Sequence, residues 1–133
     1  VFDGALAEFS YRENVRLLAY SPIGFGLLSG KYLSGSPENA RLTRFEGFGG
    51  RYRKPNVEEA VAAYVEIARA HNLKPAHLAL AFVRSRWFVT STIIGATTLE
   101  QLRENLESIH VTLDAATLAE IDAIHARYPS PAP

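Results

Sequence analysis

The stretch Gly24-Phe25-Gly26-Leu27-Leu28-Ser29-Gly30-Lys31-Tyr32 holds the residue types of a phosphate-cradling loop. It departs from both standard nucleotide patterns. The dinucleotide fingerprint G-x-G-x-x-G needs glycine where Ser29 stands, and the P-loop needs glycine at Phe25 and a small hydroxyl at Tyr32. What is left is a flexible turn with backbone N–H donors and one cation, Lys31. Such a turn can hold a phosphate through amides and charge, or can simply turn the chain.

A second candidate is the junction Ile94-Gly95-Ala96-Thr97-Thr98, leading into a helix at Leu99. A glycine there permits close backbone approach, and hydroxyls beside the unpaired N–H groups of a helix start suit either an anion or ordinary capping. Between the two candidates, Arg41, Arg44, Arg51, Arg53 and Lys54 face only Glu46, with Phe45, Phe48 and Tyr52 interleaved. That cluster can be a lid whose arginines grip an anion, a stacking surface for single-stranded nucleic acid, or a solvated loop.

Catalysis finds no local support. His71, His77, His110 and His125 are scattered without metal-ligand spacing, and read as surface or helix-end residues. No serine has a base nearby, and the carboxylates fall mostly on polar helix faces.

The elements that must position these residues are legible from periodicity. Val15 to Ser21, stopped by Pro22, and Phe88 to Ile94, stopped by Gly95, are apolar runs of strand length, suited to a parallel sheet buried on both faces. A Gly-rich connection from Gly24 to Gly35 and the Arg-rich stretch from Arg41 to Lys54 form one long irregular segment. Segments of that length are usually functional or disordered.

Asn56 and Glu59 have capping-box spacing ahead of a helix with Val57, Ala60, Val61, Tyr64, Val65 and Ala68 on one face, ending at His71-Asn72. Pro75 opens a second helix with Leu78, Ala79, Phe82 and Val83 as its apolar face. Thr98 and Gln101 cap a third, striped by Leu99, Leu102, Leu106 and Ile109. Asp114 starts a fourth, with a Leu113–Leu118 staple, a stripe of Leu118, Ile121, Ile124 and Tyr128, and a Pro-rich tail to Pro133.

Strands alternating with helices argue for a parallel α/β sheet or barrel. Two strands cannot close a barrel, so the pattern requires more strands. Taken alone, the chain is expected to be unstable or aggregation-prone through its unpaired strand edges.

Composition narrows the field further. The 133 residues carry 14 basic and 14 acidic side chains, so no global charge favours nucleic acid or anionic membranes. No run approaches the roughly 20 apolar residues of a membrane span. The absence of cysteine excludes disulfides and fits a reducing, cytoplasmic setting. Methionine is absent as well and the chain opens at Val1, which reads as a truncated edge.

The strings LLAYSPIGFGLLSGKYLSG and STIIGATTLEQLRENLESI resemble aldo-keto reductases at the seventh and eighth strands of their (β/α)8 barrel. The resemblance is greatest to the branch holding the Tas-like reductases and the potassium-channel β subunits, and the ending DAATLAEIDAIHARYPSPAP is similar to the terminal helix and tail of Tas-like members. It covers nearly the whole chain. The resemblance implies the C-terminal portion of one TIM-barrel domain, with residues 22–55 as a cofactor-covering loop. It also implies NADP(H)-dependent reduction of small aldehydes and ketones by hydride transfer, without nucleic-acid or membrane partners.

Carried over by motif, Tyr20 stacks on the nicotinamide, and Ser21, Pro22, Ile23 and Gly24 line the pyrophosphate and ribose path. Lys31 and Arg41 close over the phosphates. Gly95, Thr97 and Gln101 hold the adenosine phosphate end, and Glu104 and Asn105 reach the adenine. Many members have Lys and Arg where this chain has Gly95 and Gln101, so selection of NADP over NAD falls to Arg41 or Arg44. The family's Asp, Tyr, Lys and His tetrad lies on the first four strands, so no residue here is assigned to catalysis and the segment alone is expected to be inactive. The alternative implied by the β-subunit likeness is a non-catalytic NADP-binding barrel that serves a partner protein.

Overall fold

The apolar run after Arg16 pairs, in a computed structural model of the protein, with the run after Phe88. The structure describes residues 2–35, 37–45, 47 and 49–132. Glu46, Phe48 and Pro133, which belong to the expected Arg cluster and tail, lie outside them. Strand β1 (Leu17–Tyr20) lies parallel to β2 (Val89–Ile93), with Leu18 opposite Ser91 and Tyr20 opposite Ile93, and a register irregularity between Leu17 and Leu18. Both strands are shorter than their apolar runs. Ser21 adopts φ 55°, which no strand tolerates, so β1 stops one residue before Pro22 can act.

The expected burial on both faces is not found. Leu18 is 58% and Tyr20 66% exposed, because only one face of the pair is covered. Helix α4 (Pro75–Ser85) lies against β2, and Phe88 is buried at its foot.

An N-terminal helical segment was not anticipated. A turn over Phe2–Leu6 leads into α1 (Ala7–Arg12), where Glu8 and Arg12 form an i,i+4 ion pair of 2.7 Å. Its aromatic residues Phe9 and Tyr11 are exposed, so no apolar stripe marks it in sequence.

The long connection is less irregular than expected. It contains a tight turn at Gly24–Ser29, a short helix α2 (Arg41–Arg44) and a turn at Gly50–Arg53. Helix α3 (Val57–Ala70) follows, burying Val57, Ala60, Val61, Val65, Ile67 and Ala68. Asn56 does not cap it. Its backbone is left-handed, φ 71°, which asparagine tolerates but which removes the extended geometry a cap requires.

Pro75 opens α4 as expected, but the buried face extends to Ala76, His77, Leu80 and Ala81 beside Leu78. Ile67, Ala68, Leu78 and Ile121 form the main core, with Tyr64, Leu73, Phe82, Leu113 and Ile124 packed around them.

Helix α5 (Leu99–Glu107) is capped by Thr98 Oγ1, which accepts from Gln101 N at 3.2 Å. Its expected apolar face is not covered: Leu99, Leu102, Leu106 and Ile109 are all exposed, and the helix meets α4 where the Glu104 carbonyl accepts from His77 instead. Helix α6 (Ala115–Arg127) has Asp114 as its cap and packs along α3 through Ile121. At its start, Thr117 Oγ1 lies 2.7 Å from Asp114 and 3.2 Å from His71 Nδ1, and His71 Nε2 is 3.2 Å from Glu120.

Candidate functional site

Because β1 and β2 run parallel, the chain leaves both strands on the same edge of the sheet, where α/β proteins place their ligands. Tyr20 and Ile93 end the strands side by side, and adjacent strands lie only about 4.8 Å apart. The two loops singled out from sequence therefore begin next to each other.

The first group gathers at the end of β1. Tyr20 stands exposed, and Ser21 turns the chain with its positive φ. Gly24 N donates to the Ser21 carbonyl (2.9 Å), while the Ile23 carbonyl accepts from Gly26 N (3.0 Å) and Leu28 N (3.2 Å). Gly24, Phe25 and Gly26 all have positive φ, a run that only a glycine-rich segment sustains. Pro22 sits within this turn, half-buried.

Cations collect on it. A β-carbon at Gly26 would come within 2.8 Å of the Lys31 Nζ, so that ammonium lies directly against the glycine. The Arg41 guanidinium is 5.4 Å from the Phe25 ring centre, and that of Arg51 is 5.7 Å from the same ring and 5.0 Å from Tyr52. The Arg51 guanidinium is held above its ordinary pKa, chiefly by its interaction with the Tyr20 hydroxyl and next by the electrostatic influence of Tyr52. Among the described residues, no carboxylate forms an ion pair with Lys31, Arg41 or Arg51.

The second group follows β2 and is stitched by its own hydrogen bonds. Gln101 Oε1 accepts from both Thr97 N (2.9 Å) and Thr97 Oγ1 (3.0 Å), so this pair closes the loop onto the helix start. Buried Asn105 donates from Nδ2 to the Gly95 carbonyl at 3.2 Å. The Glu104 carbonyl accepts from His77 Nε2 at 2.9 Å. A β-carbon at Gly95 would meet nothing within 4 Å, so the open side of this loop faces unfilled space.

Of the twelve residues expected to touch a cofactor, Tyr20 to Gly24, Lys31 and Arg41 belong to the segment that leaves β1, and Gly95, Thr97, Gln101, Glu104 and Asn105 to the segment that leaves β2. Sequence reasoning missed two contributors. Arg51 was indistinguishable from Arg44 and Arg53 until the chain folded back on Phe25. His77, expected at the surface, is buried, because α5 supplies a carbonyl for its ring from 27 residues away. Among the described residues, no group of three histidines, cysteines or carboxylates could hold a metal ion.

Comparison with known proteins decides the lineage. The sequence model of the Aldo/keto reductase family matches residues 3–126. The chain belongs to the aldo/keto reductase family. It is 55% identical over 133 residues to protein tas of Escherichia coli (strain K12), covering 99% of this chain and 38% of that protein. The L-glyceraldehyde 3-phosphate reductase of the same strain is 34% identical over 128 residues, covering 92% of this chain and 37% of the relative. A putative voltage-gated potassium channel subunit beta of Schizosaccharomyces pombe is 34% identical over 111 residues, covering 79% and 32%. The chain therefore spans between 32% and 38% of the length of these relatives. The family's (β/α)8 barrel accounts for two parallel strands with helices on one side and an uncovered apolar face on the other.

Proposed function

We propose that this chain carries the greater part of the NADP(H) site of an aldo-keto reductase, as the seventh and eighth βα units and terminal helix of its barrel, with residues 22–55 covering the cofactor. The observation that carries this reading is the convergence of a cation-rich glycine turn and a polar, open-sided loop at the carboxyl edge of adjacent parallel strands.

The residues fit the cofactor's chemistry. Lys31, Arg41 and the backbone from Ser21 to Gly24 offer charge and N–H donors for phosphates, Tyr20 offers an exposed ring for the nicotinamide, and Gly95, Thr97, Gln101, Glu104 and Asn105 offer polar contacts for the adenosine end. When bound, the cofactor supplies a hydride to a small carbonyl compound. This segment contributes binding and orientation, and the proton-donating groups come from the rest of the barrel. Among the described residues no helix is long and apolar enough to cross a membrane.

The test is steady-state turnover by the full-length protein with NADPH and a panel of small aldehydes and ketones. Aldehyde-dependent NADPH consumption is the expected result. Tight NADPH binding without turnover on any carbonyl would instead favour a regulatory barrel that serves a partner protein.

A further inference from the structure

Helix α3 ends at His71, and both nitrogens of that ring meet side chains of α6. Nδ1 lies 3.2 Å from Thr117 Oγ1, and Nε2 lies 3.2 Å from Glu120 Oε1. The partners decide where the ring hydrogens are. Thr117 has one hydroxyl hydrogen, and it is donated to Asp114 at 2.7 Å. That carboxyl is held below its ordinary pKa, first by the Thr117 backbone N–H and then by the hydroxyl, so it is ionised and only accepts. Toward His71 the Thr117 oxygen is therefore an acceptor, and Nδ1 must carry a hydrogen. Glu120 is a carboxylate and also accepts, so Nε2 must carry one too. A neutral imidazole has a single N–H, and this arrangement uses two.

The surroundings suit an imidazolium. The ring stands at the carboxyl end of α3, where unpaired carbonyls favour a cation, and Asp114 and Glu120 face it from α6. On its own helix, Glu66 and Arg69 pair with each other at 2.5 Å. The charged and titratable groups of α4 and its ends are engaged elsewhere: Lys74 with Glu107, His77 with the Glu104 carbonyl, Arg84 with the Val111 carbonyl and Arg86 with Asp122. The Gly24–Ser29 turn, which also packs on α3, has no titratable side chain. The side chains of His71 and Glu120 are 27% and 48% exposed, so solvent can reach the ring and take its proton.

What these bonds hold is the end of the chain. The tail beyond α6 sets Ala132 against Val57, Val61 and Val65 at the other end of α3. Ser130, Pro131 and Ala132 also wall a hollow of about 370 Å³ that Ser21, Gly24 and Leu28 close from the other side. We propose that His71 is a protonation-dependent clasp: as an imidazolium it bridges Thr117 and Glu120 and docks α6, with its tail, on α3, and as a neutral ring it releases one of the two. The sign is opposite to that of a carboxylate. Above the range in which Asp114 and Glu120 titrate, docking is firmer at lower pH and loosens as the ring loses its proton. The clasp needs no nucleotide and is independent of the cofactor reading.

The experiment is hydrogen–deuterium exchange of the full-length protein without nucleotide, at about pH 5.5 and about pH 8.5, either side of the range in which imidazoles ordinarily titrate. Rates are corrected for the pH dependence of intrinsic exchange. The wild-type protein is compared with His71→Gln and Glu120→Gln, both at positions outside the buried core. In the wild type, the segment from Ala115 to Arg127 should exchange several-fold faster at the higher pH. His71→Gln should show fast exchange at both values and no difference between them. Glu120→Gln is the discriminating variant, because its amide can donate to a neutral Nε2 and accept from a protonated one. It should keep at the higher pH the protection that the wild type loses. Equal protection of the wild type at both values, a pH difference that survives in His71→Gln, or a Glu120→Gln protein no better protected than wild type at the higher pH would each overturn the proposal.

Discussion

Asn105 donates from Nδ2 to the carbonyl of Gly95 across 3.2 Å, tying the second turn of α5 to the residue just beyond β2. The bond fixes the loop that carries Thr97 and Thr98, and Asn105 is only 7% exposed. Asn105→Ala would strand the Gly95 carbonyl and open a small gap. The expected cost is about 1–2 kcal/mol in chemical denaturation of the full-length protein. A stability within error of wild type would show that the loop is held by Thr97 and Gln101 alone.

Gly95 itself allows a cleaner separation of binding from folding. Its φ is not in the left-handed region and a β-carbon there meets no protein atom, so Gly95→Ala should leave the melting temperature unchanged. If the adenosine end of the cofactor lies against this residue, the added methyl must weaken it. We expect NADPH affinity to fall at least several-fold, read by fluorescence titration. Wild-type affinity would place the adenosine elsewhere.

Arg41 is expected to read the 2′-phosphate, since Gly95 and Gln101 bring no charge to the adenosine end. Arg41→Ala should therefore weaken NADPH by at least about tenfold more than NADH, the worth of one charge-assisted phosphate contact. Equal weakening would move Arg41 to the diphosphate alone and leave Arg44 to be tested in its place.

The start of α6 gives an acid dependence whose sign is fixed. The backbone N–H of Thr117, at 2.8 Å, and then its hydroxyl hold the Asp114 carboxyl below its ordinary pKa, with a smaller contribution from His71. The folded state thus prefers the ionised form. Its contribution is complete above the ordinary carboxylate pKa of about 3.9 and is lost as pH falls through the lower folded value. Asp114→Asn should lower stability near neutrality and flatten the acid limb of the unfolding midpoint against pH. A limb of unchanged slope would assign the acid sensitivity to other carboxylates.

How much of this was legible in the sequence depends on whether the deciding contact was local. Pro75, Thr98 with Gln101, and Asp114 each act within one helical turn, and each does what its position announces. The strands and their parallel sense followed from two apolar runs separated by helices. Asn56 failed because a left-handed backbone overrides a favourable residue type, and nothing in the spacing signals that conformation. Leu99, Leu102, Leu106 and Ile109 make a sound apolar stripe, yet periodicity cannot say whether an element lies opposite it. The site followed the same rule. The loops bearing Tyr20 to Lys31 and Gly95 to Asn105 were visible as motifs, whereas Arg51 on Phe25 and His77 on Glu104 join residues 26 and 27 positions apart.

The central claim is that the edges beyond β1 and β2 together hold the nicotinamide dinucleotide. Hydrogen–deuterium exchange of the full-length protein, with and without NADPH, tests it most directly. The account predicts slowed exchange in two separate segments, from Ser21 to Lys31 and from Gly95 to Asn105, with additional slowing around Arg41 and Arg51 as the connection closes. Protection confined to other parts of the protein, with both segments unchanged, would contradict it.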